Sequence, residues 1–208
     1  ALGHPDLAYY KNEGTHFVES SSQVELNLPE GGIGVHVADY DNDGDADLYI
    51  TRDGWFGGGA NVLFNNKTGK FSDVTDYAGV GDLGSGFCAA WADYDRDGWL
   101  DLYIANGTGA TGDSTNVLYK GSEDGRFVDV ALSAGVDNRG QSLSVAWGDF
   151  DADSDPDLYV CNFTEPNVLY RNKGDGSFAD VSEYAGVGAA HIDGFITFPF
   201  DYDNDGAL

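Results

Sequence analysis

DYDNDGDAD, residues 39–47, sets Asp at every second position of a nine-residue stretch. The spacing returns as DYDRDGWLD at 93–101 and DFDADSDPD at 149–157, and again as DYDNDGAL at 201–208. These stretches start 54, 56 and 52 residues apart, so the chain is a repeat array with one such loop per unit. Alternating carboxylates on a tight turn make a cage of hard oxygens, which suits Ca²⁺ best. In the first loop Asp39, Asp41, Asp43 and Asp47 would supply side-chain oxygens, and Asp45 at position 7 a backbone carbonyl. The second loop offers Asp93, Asp95, Asp97 and Asp101 with Trp99 at position 7. The third offers Asp149, Asp151, Asp153 and Asp157 with Asp155 at position 7. The fourth holds Asp201, Asp203 and Asp205 and stops before position 9. Three to four calcium ions are therefore expected. Gly44, Gly98 and Gly206 stand at position 6, where the turn favours positive φ. Ser154 replaces Gly in the third loop, which should weaken it.

Apolar runs flank each loop. GVHVA, FCAAWA and LSVAWG precede the first three, and DLYI, DLYI and DLYV close them. Both kinds are too short for helices and rich in β-formers, so each loop joins a strand A to a strand B. Then come NVLF, NVLY and NVLY, a Gly-bearing turn, and FSDVT, FVDVA and FADVS, a spacing that fits a C–D hairpin. Every unit ends in AGV. Four short strands per unit of about 50 residues is the pattern of a β-propeller blade. The expected fold is all-β, a propeller or propeller segment of four-stranded antiparallel blades with almost no helix. Whole blades are expected over 31–82, 83–138 and 139–189. Residues 1–30 read as strands C and D of a partial blade, and 190–208 as strand A with its metal loop, FITFPF at 195–200 being the strand.

The units resemble the FG-GAP and VCBS repeats, the blades of integrin α-subunit propellers and of many secreted proteins. NVLYRNKGDGSFADVSEYAGV at 167–187 is similar to repeats of the cartilage-acidic-protein branch. The resemblance covers nearly the whole chain. It implies that the Asp loop between the first two strands of each blade binds Ca²⁺. An EF-hand would need a bidentate Glu at position 12, but Ile50, Ile104 and Val160 stand there. No nucleophile motif is recognisable and four regular metal loops argue for structure, so no enzyme is expected, and the resemblance implies a calcium-stabilised extracellular module for adhesion or recognition of a protein or glycan. The alternatives are an accessory propeller of a secreted polysaccharide-active enzyme and a structural subunit of an extracellular assembly.

Composition agrees. Of the 36 acidic residues, 17 lie in the four loops, so the net charge of −26 is largely a metal-site signature. Ten Lys plus Arg exclude a nucleic-acid partner. No run of 18 apolar residues exists, so no membrane span is expected. The start at ALGHPD and the lack of Met suggest a mature or trimmed product. Cys88 and Cys161 are expected to be free. His4, His16, His36 and His191 share no metal spacing, and His36 reads as a packed strand residue. Trp91 and Trp147 recur in phase and read as blade core, whereas Trp55 stands alone as a candidate ligand contact. Three glycosylation sequons begin at Asn66, Asn106 and Asn162, the last two at equivalent positions expected in surface loops. Open blade edges at both ends suggest a piece of a larger ring, a small ring with a composite blade completed by Asp6, or head-to-tail self-association.

Overall fold

The structure, a computed structural model, describes residues 7–28, 31–53, 58–107, 115–188, 194–201, 203 and 208. A short hairpin opens it, β1 (Tyr10–Asn12) against β2 (Phe17–Glu19). Three four-stranded antiparallel meanders follow. The first contains β3 (Gly34–Ala38), β4 (Asp47–Thr51), β5 (Val62–Lys67) and β6 (Lys70–Asp73), followed by a one-turn helix α1 (Thr75–Ala78). The second contains β7 (Ser85–Ala92), β8 (Asp101–Gly107), β9 (Val117–Lys120) and β10 (Val128–Asp129), then α2 (Ala131–Ala134). The third contains β11 (Ser142–Gly148), β12 (Asp157–Asn162), β13 (Val168–Asn172) and β14 (Phe178–Asp180), then α3 (Ser182–Ala185). These are propeller blades, and the Asp loop of each joins its first two strands.

The apolar runs of the second strands are continuous because these strands are buried on both faces. Leu102 and Ile104 of β8 enter a core with Tyr49 and Leu63 of the first blade. Between them, Tyr103 points the other way, into a core with Leu158 and Val160 of the third blade. Leu26 and Leu28 pack with Ile50 and Phe64 on the outer face of the first blade. The cores therefore lie at the seams between blades. First strands stand side by side, β7 against β3 and β11 against β7. Burying one such Leu or Ile contributes roughly 1.5–3 kcal/mol.

The recurrent AGV marks the end of the one-turn helices. Gly79, Gly135 and Gly186 close them at φ 76°, 79° and 74°, a left-handed cap that favours Gly. Asp73, Asp129 and Asp180 start them, each accepting the N–H two residues on at 3.0, 2.9 and 2.9 Å. The strand expected over 195–200 does not form. No paired strand lies on its free side among the described residues. It runs beside β11 instead, with Phe195 against Phe163 at 5.2 Å and the Thr197 N–H donating to Ser144 Oγ at 3.1 Å. No helix among the described residues is long and apolar enough to cross a membrane.

Candidate metal centres

Each Asp loop hangs between the end of a first strand and the start of a second. Position 9 is the first residue of the second strand, and its carboxylate is nearly sealed: Asp47 is 1 %, Asp101 0 % and Asp157 2 % exposed. One oxygen accepts the N–H of position 2 (Tyr40, Tyr94 and Phe150, at 3.2, 3.1 and 3.1 Å). The other accepts an N–H from the third strand or just past it (Asn66, Gly121 and Asn172, at 2.7, 2.9 and 2.8 Å). Position 9 thus ties three parts of the blade together.

Position 1 folds the loop. Asp39, Asp93 and Asp149 accept the N–H groups of positions 5 and 6 on their two oxygens. Position 5 accepts the N–H of position 7, at 2.9, 3.0 and 2.8 Å for Asp43, Asp97 and Asp153. The turn passes through the left-handed region twice. Position 6 is Gly44, Gly98 and Ser154, at φ 92°, 93° and 75°. Position 4 is Asn42, Arg96 and Ala152, at 58°, 58° and 61°, a requirement the sequence reading did not see.

Among the described residues, carboxylate oxygens converge within 4.8 Å of one another in three places: Asp39 with Asp41 and Asp43, Asp93 with Asp95 and Asp101, and Asp149 with Asp151 and Asp157. Position 3 aims inward. Asp41 Oδ1 and Asp95 Oδ1 are buried with no hydrogen-bond partner. A buried carboxylate oxygen that no protein donor satisfies costs free energy, and a cation is the partner such an oxygen fits. Burial pushes Asp47 up to about 6 and Asp101 up to about 7, and raises Asp157 as well. A cation beside them would reverse that trend. The donor set is oxygen throughout, so the residues fit a hard dication.

Position 7 contributes no inward carboxylate. Asp45 accepts the Thr68 N–H at 2.7 Å, and Asp155 pairs with Arg96 at 2.8 Å, which leaves their carbonyls as the candidate ligands. In the fourth loop Asp201 is half-buried and Asp203 exposed, while Asp205 lies outside the described residues. Asp6, Trp55, His4 and His191 also lie outside them.

Two of the three sequons need correction. Asn106 and Asn162 are each 1 % exposed, not in surface loops. Asn106 Nδ2 donates to Asp82 Oδ2 at 3.0 Å and to the Thr115 carbonyl at 2.8 Å, and Asn162 Nδ2 to the Pro166 carbonyl at 2.7 Å. A glycan has no room on those amides. Asn66 is half-buried, and its amide donates to the Ala46 carbonyl at 3.0 Å. Cys88 and Cys161 are free. His36 is half-buried between blades, its Nε2 accepting the Ala89 N–H at 3.2 Å, and burial lowers it to about 4.

One set of residues escaped the sequence reading, the Asn that opens each NVL run. Asn61, Asn116 and Asn167 accept the N–H of Arg52, Asn106 and Asn162 at 2.7, 2.8 and 2.8 Å. They bracket the second and third strands at the end away from the Asp loops. Beside Asn116 lies a cleft of about 490 Å³, lined also by Asp82, Asp129, Asp137 and Arg139 together with Leu83 and Leu132. Clefts at the corresponding place in the other blades contain Asn61 and Asn167.

Comparison with known proteins follows this architecture. Cartilage acidic protein 1 of Homo sapiens is 30% identical over 206 residues, covering 91% of this chain and 31% of its own length. Integrin alpha-7 of Mus musculus is 31% identical over 155 residues, 67% of this chain and 13% of the relative. The chain thus spans about a third of the cartilage acidic protein it matches. Among solved structures, an Agrocybe aegerita lectin described as recognising non-reducing terminal N-acetylglucosamine covers 86% of this chain, with 48% of its own chain matched, 17% identity and a TM-score of 0.48. The FG-GAP-like repeat matches residues 2–50, 52–104, 108–160 and 149–208. The match over 52–104 runs from β5 and β6 of one blade into β7 and β8 of the next, so the sequence unit straddles a seam. With matches along nearly its whole length, the chain belongs to the FG-GAP-like repeat family.

Proposed function

We propose that the chain is a non-catalytic, calcium-stabilised extracellular module that recognises a protein or glycan partner. One observation carries the calcium part. An oxygen cage occurs in each of three successive blades, built on positions 1 and 3 with position 5 in the first and position 9 in the other two, and buried position 3 oxygens are left unsatisfied in two of them. A bound dication would supply the positive charge that lets these carboxylates ionise together. The side chains of positions 1, 5 and 9 also organise the loop through backbone N–H groups, which supports a structural role. Catalytic metals keep an open coordination position, and cages repeated in every blade are not built around one reacting centre.

Membership of the FG-GAP-like family and likeness to an integrin α-subunit support recognition. The clefts beside Asn61, Asn116 and Asn167 combine apolar surface with carboxylates, amides and, at Arg52 and Arg139, guanidinium groups, a mixture that suits a sugar or a polar peptide. They lie at the opposite ends of the blades from the metal cages. Calcium would therefore hold the scaffold rather than touch the partner.

The test compares the chain with calcium and with chelator. Chelation should lower the melting temperature and expose the loops to protease, because a ligand that binds only the native state stabilises it. Binding to a glycan array or to a panel of extracellular proteins should be lost in parallel. Melting and protease resistance unchanged by chelator would overturn the calcium reading.

A further inference from the structure

The three loops share one chemistry, but the side chain that reaches over each from the third strand differs. The position is Asn65 in β5, Lys120 in β9 and Arg171 in β13. Asn65 is neutral, and its amide donates to Asp41 Oδ2 at 2.8 Å and to Asp47 Oδ1 at 3.3 Å. Arg171 is exposed and, among the described residues, pairs with no carboxylate of the third loop. Lys120 enters its loop. Its ammonium contacts Asp95 Oδ2 and lies 3.1 Å from Asp97 Oδ2.

We propose that Lys120 is a built-in counter-ion of the second loop that competes with the divalent cation and lowers the affinity of this site. The proposal rests on the calcium reading above. Asp95 and Asp97 are two of the carboxylates a cation there would need. An ammonium cannot stay against them once a dication arrives, because like charges at contact distance repel. The Lys120 side chain is 38% exposed, so it has a path to solvent when displaced. Two opposite effects follow. Without metal, Lys120 relieves the repulsion among Asp93, Asp95, Asp97 and Asp101. With metal, its displacement subtracts from affinity. The first loop has the neutral Asn65 and bears neither effect.

Trp99 makes the second loop separately observable. It stands at position 7, where the first and third loops have Asp45 and Asp155. Terbium, a hard cation for oxygen cages, is the probe, with emission sensitised through the indole. Trp99→Phe keeps the backbone carbonyl but removes the antenna, so the signal lost in that variant reports this loop.

In the full chain, Lys120→Asn should move the Trp99-dependent titration to about tenfold lower free terbium, a shift of about 1.4 kcal/mol. The same variant should melt lower than the parent in chelator and gain more from added calcium. The reciprocal change, Asn65→Lys, should weaken one calcium site about tenfold by calorimetry, and decides the matter if Lys120→Asn does not fold. An unchanged or weakened terbium midpoint in Lys120→Asn, or no weakened site in Asn65→Lys, overturns the role of Lys120 and leaves calcium binding intact. If the parent chain itself shows neither terbium emission nor calcium-dependent melting, both readings fall together.

Discussion

Trp91 and Trp147 are the same residue of successive blades, and Trp→Phe at each should have unequal consequences. Trp147 stacks on Tyr94 with ring centres 6.2 Å apart and meets Tyr103 edge-on at 6.3 Å. Trp91 repeats both contacts with Tyr40 at 6.3 Å and Tyr49 at 6.1 Å. Replacement by Phe therefore removes a similar amount of packing at both sites. The indole N–H is what differs. In Trp147 it donates across the seam to the Ala90 carbonyl at 3.1 Å, whereas in Trp91 it is buried with no partner. Losing a satisfied bond costs about 1 kcal/mol net, and removing an orphaned donor recovers roughly 1–3 kcal/mol. Trp147→Phe should thus be the more damaging by roughly 2–4 kcal/mol, or roughly 4–16 °C in melting temperature for a chain of this size. Urea and thermal unfolding of both variants in excess calcium measure the difference. Equal losses, or a larger loss at Trp91, would refute the reasoning.

Ser154→Gly should stabilise the calcium-loaded chain by about 1 kcal/mol, since Ser154 holds φ 75° where Gly carries little penalty; thermal melting showing no gain would count against the strain. His36 is held neutral by burial with a folded value of about 4, below the ordinary value of 6.5, so the folded chain binds fewer protons than the unfolded one between those values. Its contribution is present above pH 6.5 and is lost as pH falls toward 4, by up to about 3 kcal/mol. His36→Gln should remove that slope, and an identical pH profile of stability in parent and variant would contradict it.

The Asp spacing and the flanking apolar runs reveal blades, strand order and loop position because they are local. Two-residue alternation and a nine-residue loop need no knowledge of what lies across the seam. What escaped is non-local. The Asn of each NVL run is an ordinary turn residue in sequence, and its value comes from Arg52, Asn106 and Asn162, brought opposite it by antiparallel pairing. The sequons at 106 and 162 failed for the same reason. A three-residue motif carries no burial, and both Asn end strands that are sealed on both faces. At position 4, Asn42 hinted at a left-handed residue, but Arg96 and Ala152 in the sister loops concealed it. FITFPF has strand composition at 195–200, but a strand also needs a partner, and composition cannot supply one.

The cages and the seams between blades are one mechanical unit. Position 2 of the loop shows why. The Tyr40 and Tyr94 N–H groups bond to Asp47 and Asp101, while their rings stack on Trp91 and Trp147 of the following blade. A cation that fixed position 9 would therefore also fix the ring that seals the next seam. The loops also touch one another. Asn42 donates to the Gly98 carbonyl at 3.1 Å, and Arg96 pairs with Asp155. Both links start from position 4. In a repeat array each blade contacts only its neighbours, so stability passes from seam to seam. Metal bound in one loop would then stabilise the blade after it, and its removal would loosen a seam as well as a loop. The clefts at the far ends are lined partly by linkers between blades, Asp82 and Arg139 among them. Their shape depends on those same seams, so under the proposed function a cation would act on a recognition surface it never touches.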